Sequence, residues 1–313
     1  MTSKIICIGL PVYNGQNFIA EAIDSILHQT FTDFSLLISD NASTDQTETI
    51  CRSYAAVDSR ISYIRNPKNI GASDNFNQTF LQSRSKYFKW AAHDDFLDPR
   101  YLEKCIQFME ENPHFVLCYS KTKRVNALGV VDGNYDYDMR VSHPDLRVRF
   151  ADLILINHFC ISTFGVFRRD VLRKTNLIGK YVGSDRTLLA ETALYGPQYE
   201  IPEYLFYRRH HPNASTAKYA QHERLAWFDP DKHKNINLKY WKAGLEYFRS
   251  VNRVPITIKE RIACYFLIIK WFIKKRKQLL GDLIIAIYRF FPFTKSIVHT
   301  IKRIDFSHKG GSK

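Results

Sequence analysis

The sequence has no uninterrupted apolar stretch of the roughly 18 residues that a membrane-spanning helix requires. It also lacks the features of a secretory leader: Lys4 stands alone before a short strand-like run that meets Pro11. A cytosolic chain is therefore expected. The six cysteines (Cys7, Cys51, Cys105, Cys118, Cys160 and Cys264) include no Cys-x-x-Cys pair, which argues against a zinc site or a disulfide framework and for reduced core thiols. No glycine-rich loop with a Lys or Arg follows the first apolar run, where Pro11-Val-Tyr-Asn-Gly15 stands instead, and this counts against a nucleotidyltransferase. Acidic residues are scarce in the tail: residues 251–313 hold 14 Lys and Arg against 3 Asp and Glu, or eleven of the formal +14, leaving three for the first 250 residues.

What remains is globular in composition, with 45% hydrophobic and 24% charged residues over 313 positions, enough for one large domain and an appendage. Residues 5–10 form an apolar run read as a buried strand broken by Pro11, and Phe18, Ile19, Ala22, Ile23, Ile26 and Leu27 then recur at helical spacing. A second unit repeats the order: strand 34–39, loop 40–45 and helix 46–56, with Asp45 and Glu48 placed like a capping box. A third has strand 61–64, loop 66–71 and a helix to about residue 83. The fourth strand is Tyr87-Phe-Lys-Trp-Ala-Ala, and it delivers His93, Asp94 and Asp95; helix 99–111 and strand 115–119 follow. Such βα alternation predicts a mostly parallel sheet with helices on both faces. The four loops then converge on the sheet edge where ligands bind. Two adjacent carboxylates there suit a divalent cation and a phosphate ligand; the competing reading is that they cap the helix beginning near Pro99.

Beyond residue 120 the pattern loosens. Residues 132–145 read as a surface loop that orders on a substrate, 164–167 and 204–207 as strands, 184–195 as a helix, and the chain is helical and polar from 219. In the tail, residues 262–273 and 279–293 are apolar on either side of Lys274-Lys-Arg-Lys277. Short apolar helices flanked by cations suit the interface of an anionic membrane; a hairpin packed on the catalytic domain, or a dimer contact, is the alternative. Nucleic acid is not expected, because the basic cluster is embedded in aliphatic residues.

Pro11-Val-Tyr-Asn-Gly15, Asp40-Asn-Ala-Ser-Thr-Asp45, Asn69-Ile-Gly71 with Asn75, Trp90-Ala-Ala-His-Asp-Asp95, Gly183-Ser-Asp185 and Arg209-His-His-Pro212 with Ser215 resemble, in order and spacing, the inverting family 2 glycosyltransferases of GT-A fold. The resemblance covers about residues 4–216. It implies a GT-A domain over 1–216, and the composition of the tail adds the expectation of a helical, basic, membrane-associating extension over 217–313, peripheral on the cytoplasmic face. The resemblance implies that Pro11, Tyr13, Asn14, Asp40, Asn69 and Gly71 bind the nucleotide, Tyr13 and Asp40 sandwiching uracil, though thymine passes the same test. Asp45 is expected to cap its helix rather than touch ligand. Asp95 is expected on the metal, magnesium or manganese, and Asp94 on the sugar side, with His93 departing from the usual acidic residue. Asp185 matches the catalytic base, with Glu191 the nearest rival. Arg209 is implied as a phosphate contact and His211 as a metal or diphosphate ligand, with His210 adjacent. The expected activity is transfer of a sugar from a nucleotide diphosphate donor, UDP-sugar first, to a glycan or lipid-linked acceptor in cell-surface polysaccharide assembly such as O-antigen or capsule. A nucleotidyltransferase, or an inactive membrane-tethered nucleotide-binding scaffold, is the alternative.

Overall fold

The computed structural model describes residues 4–214, 224–229 and 238–290; Ser215 and the tail beyond 290 lie outside the described residues. Strands β1 (Ile6–Val12), β2 (Phe34–Asp40), β3 (Ile61–Arg65) and β4 (Tyr87–Trp90) run parallel in the order β3-β2-β1-β4. Strand β1 continues through Pro11, which pairs with Ser39 of β2, whereas its pairing with β4 stops at Gly9. Gly9 accepts from Ala91 on the β4 side and Val12 from Asn41 on the β2 side, so alternation turns the missing Pro11 N–H toward β4, where no ladder remains to be broken.

The second half of the sheet is mixed rather than parallel. Strands β8 (Val166–Arg168), β6 (Leu117–Val125), β9 (Gln198–Arg209) and β5 (Phe96–Leu97) extend the order beyond β4, and β7 (Val131–Tyr135) makes a hairpin with β6 where a loop was expected. Strand β8 is antiparallel to β4 and to β6, and β9 is parallel to β6. Consequently β9 ends on the same edge as β1 to β4, and residues 209–211 meet the acidic turn after β4 and Phe18 after β1.

Each face of the sheet carries its own core. Ile6, Ile8 and Leu10 point toward helices α1 (Ile19–Leu27), α2 (Thr47–Val57) and α4 (Tyr101–Glu111). Their neighbours Cys7 and Leu37, with Phe88 and Trp90, point toward α3 (Ala72–Gln82), α5 (Leu146–Leu155) and α7 (Ser184–Tyr195); α6 (Arg169–Leu172) is a single turn. Strand β4 is held by an aromatic stack: Phe88 and Trp90 are edge-on at 5.0 Å, Phe80 and Phe167 flank them, and the indole N–H donates to the Phe76 carbonyl at 2.9 Å. This fixes the strand that carries the acidic pair.

A short helix α8 (Arg224–Phe228) and helices α9 (Lys239–Arg253), α10 (Ile258–Lys274) and α11 (Arg276–Phe290) complete the described chain. Thr257 and Glu260 form a capping box that starts α10. The extension shares the second core: Tyr247 stacks edge-on with Trp271 at 5.3 Å and with Phe150 at 6.2 Å, and Cys264 and Ile268 are buried beside them. No described helix is long and apolar enough to cross a membrane.

Candidate active site

The loops after β1, β2 and β3 are tied to one another by side-chain to backbone bonds. The Asn14 side-chain oxygen accepts from the Thr44 N–H at 2.8 Å, its own N–H donates to Ser43, and the Gly15 N–H donates to Thr47. The Asn69 side-chain oxygen accepts from the Gly71 N–H and from the Asn41 amide, and Gly71 starts α3 at φ +84°, which glycine alone adopts without strain. Asp45 accepts from Thr47 and from the Gln16 N–H. Burial pushes its pKa up, but these donors outweigh it and hold the carboxyl below its usual range. The expected capping box does not form: Glu48 pairs with Arg52 and Arg65 instead. Tyr13 leaves its ring 37% exposed at the mouth of this loop set.

Two expected nucleotide contacts are corrected here. Asp40 is fully buried, one carboxylate oxygen taking the Ser43 N–H at 2.9 Å and the other the Tyr63 hydroxyl at 2.7 Å, so no surface of it is left for a base. Pro11 is buried within β1 and presents no face to the edge.

The acidic pair divides. The Asp94 carboxylate faces His211, with Nε2 at 3.0 Å from Oδ2, and the His211 ring lies 4.7 Å from that of Phe18. Burial raises the Asp94 pKa, but the charge of His93 and the His211 hydrogen bond overcome it and keep the carboxyl below its ordinary range. Asp95 is buried and accepts the Arg209 N–H at 2.9 Å; burial first, and then the charge of Asp94, push its carboxyl well upward. Strand β5 explains the meeting, since Phe96 and Leu97 pair with Tyr207 and Phe206 of β9 and so dock the acidic turn against residues 209–211. The His93 ring packs on the backbone of Gly15, in space that a Cβ there would fill.

Arg209 is a further correction. Its guanidinium is 2% exposed, donates to the Asp94 carbonyl, the Ala127 carbonyl and Glu21, and stacks over Phe18 and Phe96. It braces the acidic turn and has no face left for a phosphate. Strand alternation sends the preceding Arg208 the other way, over the rings of Tyr135 and Phe159. His210 points outward to Asp132 at 3.1 Å, leaving His211 as the histidine beside the acids.

A cavity of about 380 Å³ opens next to this edge, and Asp185, Arg208, His158 and Cys160 line it. Asp185 begins α7 and accepts the N–H of Arg186 at 2.8 Å, so it makes a helix-start contact and still borders the cavity. Burial first, and then the Asp185 charge, push the neighbouring Cys160 thiol well up. Its rival Glu191 is 1% exposed and locked to Arg253 at 2.6 Å and Ser250 at 3.0 Å, which makes it a tie between α7 and α9. Arg208, Cys160 and His158 were missed from the sequence, because only the fold brings residues 158–160 beside Asp185.

Among the described residues no three His, Cys, Asp or Glu side chains stand ready as a metal cage. The donor set still fits a divalent ion, since a carboxylate oxygen of Asp94 and the imidazole nitrogen of His211 are adjacent.

Three comparisons bear on the family and the fold. The glycosyl transferase family 2 sequence model matches residues 7–175. An uncharacterised glycosyltransferase of Haemophilus influenzae is 25% identical over 261 residues, 82% of this chain and 79% of that one, whereas chondroitin synthase of Escherichia coli is 26% identical over 160 residues, 51% of this chain and only 22% of that protein. Among solved structures, residues 1–349 of S. aureus TarS in complex with UDP-GlcNAc superpose with a TM-score of 0.65 at 16% identity, covering 91% of this chain and 81% of that one. The mannosyltransferase PcManGT of Pyrobaculum calidifontis, in complex with GDP-Man and manganese, gives 0.50 at 12% identity over 93% and 88%. Both likenesses show the fold. The chain belongs to glycosyl transferase family 2 and is a glycosyltransferase of GT-A-like α/β fold.

Proposed function

We propose that this glycosyltransferase is metal-dependent and inverting, and moves a sugar from a UDP-sugar to a glycan or lipid-linked acceptor in cell-surface polysaccharide assembly such as O-antigen or capsule. The observation that carries the reading is that Asp185 and Arg208 line one cavity, while the residues just after Arg208 bring His211 to Asp94. Asp185 takes the proton of the acceptor hydroxyl as that oxygen bonds to the anomeric carbon, and the bond to the diphosphate breaks on the opposite face with its electrons leaving on the nucleotide. Tyr13 stacks on the base, and Asn14, Asn69 and Gly71 shape the loops around it. In this reading Asp94 and His211 hold the magnesium or manganese, and Asp95, spent on the Arg209 N–H, positions β9; the two acids exchange the roles expected from the sequence. When bound, the ion supplies Lewis-acid stabilisation of the leaving diphosphate. Support for the donor and setting comes from the UDP-GlcNAc complex of TarS and from the chondroitin synthase relative.

The division between the acids has its own test. Asp94→Ala is expected to weaken manganese-dependent UDP binding about tenfold or more, in line with loss of a charge-assisted contact, while Asp95→Asn keeps most of it. Calorimetric titration checks this, and the reverse order of effects would return the ion to Asp95.

We also propose a peripheral position on the cytoplasmic face of an anionic membrane. One side of α10 leaves Ile258, Ile262, Phe266, Ile269 and Ile273 between 48% and 77% exposed at helical spacing, and Lys259, Lys270, Lys274, Arg276 and Lys277 are exposed on the same two helices. Replacing Ile262, Phe266 and Ile269 by Ser spares the buried face and is expected to abolish sedimentation with phosphatidylglycerol vesicles. Undiminished sedimentation of that variant would remove this face from the account.

A further inference from the structure

One wall of the Asp185 cavity comes from the chain between α5 and the single turn Ile161–Phe164, which contributes exposed Asn157, Phe159 and Thr163. Phe159 leaves 52% of its surface in water, and yet it is held from several sides. Its N–H donates to the Tyr137 hydroxyl at 3.1 Å, the Tyr135 ring meets its ring edge-on at 5.3 Å, and the Arg208 guanidinium lies 5.0 Å from its centroid. The chain after it is tightly wound, with the Ile161 N–H on the Phe159 carbonyl and the Thr163 N–H on the Cys160 carbonyl. The chain before it is tied to the helix of the base, because Arg186, next to Asp185 in α7, gives its guanidinium to the carbonyls of Leu153, Ile156 and His158. An aromatic ring is thereby fixed at the cavity in a set position relative to Asp185, as a binding group must be. Folding alone does not account for it, since burying that ring would stabilise the chain further.

Thr163 is a second, independent sign. It is only 3% exposed, and its hydroxyl has no hydrogen-bond partner among the described residues, although buried polar groups are almost always paired. Turning it about χ1 breaks no hydrogen bond, so the hydroxyl is free to meet a ligand that enters the cavity. A pyranose suits all three side chains: its C–H face matches an aromatic ring, and the hydroxyls on its rim match a hydroxyl and an amide. None of the three carries a charge, which favours an uncharged sugar.

We propose that Phe159, Thr163 and Asn157 form the subsite for the acceptor's terminal sugar, an uncharged pyranose with its C–H face on the Phe159 ring and its reacting hydroxyl at Asp185. This deepens the function proposed above and rests on it for the role of Asp185. Phe159 and Thr163 then decide which acceptors are used, while the nucleotide is held by the loops after β1, β2 and β3.

The test titrates the full chain, with UDP and manganese present, with the methyl glycosides of glucose, galactose, mannose and N-acetylglucosamine, followed by ligand-observed NMR. At least one glycoside is expected to bind saturably. Phe159→Leu and Thr163→Val should each weaken it about fivefold or more, the scale of one neutral contact, while Thr163→Ser retains it and UDP affinity stays within about twofold in all three. Because the Thr163 hydroxyl has no partner to lose in the free protein, Thr163→Val should also leave Tm unchanged or raise it. Binding by none of the four glycosides, or binding untouched by Phe159→Leu and Thr163→Val, overturns the subsite, and so does a weakening seen with UDP-GlcNAc but not with the glycosides. A lower Tm for Thr163→Val would overturn the part assigned to that hydroxyl. Absence of UDP binding with the dependence on Phe159 and Thr163 intact would instead strike the donor reading alone.

Discussion

Asp185→Asn is expected to lower sugar transfer about a hundredfold or more, the scale of general-base catalysis, while leaving manganese-dependent UDP affinity within about twofold. The substitution keeps the side-chain oxygen that accepts the Arg186 N–H, so the start of α7 is preserved and only proton acceptance is lost. Steady-state transfer compared with UDP titration separates the two quantities. Near-normal turnover would remove Asp185 as the base, and Glu191 could not replace it, because that carboxylate is committed to Arg253 and Ser250 beneath the cavity wall.

Arg209→Ala is expected to cost stability on the order of 3 kcal/mol, from unpaired carbonyls and an unfilled space under the acidic turn. The carbonyls of Asp94 and Ala127 lose their donor, and the rings of Phe18 and Phe96 lose the cation between them. Half-exposed Glu21 is rehydrated and adds little. Thermal melting without nucleotide reads this directly: a bracing arginine predicts a large fall in Tm, and a phosphate-binding arginine predicts an unchanged Tm with weaker UDP binding.

Much of the sheet was legible because each of the first four strands is an apolar run punctuated by loop residues, and helix α7 was read with its observed bounds, Ser184–Tyr195. What escaped depends on pairing and parity. Pro11 reads as a breaker until β4 is seen to leave the ladder before it. The strand expected over residues 204–207 is the middle of β9, and once β9 runs to Arg209 the two-residue period sends Arg208 to the cavity and buries Arg209. The same one-residue alternation separates Asp94 from Asp95. Asp40 is recognisable as a loop acid, but its partner Tyr63 lies on the next strand and only the fold brings it there. In the tail the apolar runs are plain, yet their division into a buried side (Cys264, Ile268, Trp271) and an exposed side (Ile262, Phe266, Ile269) is set by packing on α5 and α9.

In the proposed reaction Asp185 is the base and Asp94 and His211 hold the ion, and the stereochemistry of transfer is the most direct reading of it. Proton NMR can follow slow hydrolysis of UDP-glucose, UDP-galactose and UDP-GlcNAc by the full chain with manganese, water standing in for the acceptor. The account predicts that at least one donor releases UDP together with a sugar first seen as the β-anomer, opposite to the α-linked donor, and that a chelator stops the release. A first-formed α-anomer, or release unaffected by chelation, would contradict it.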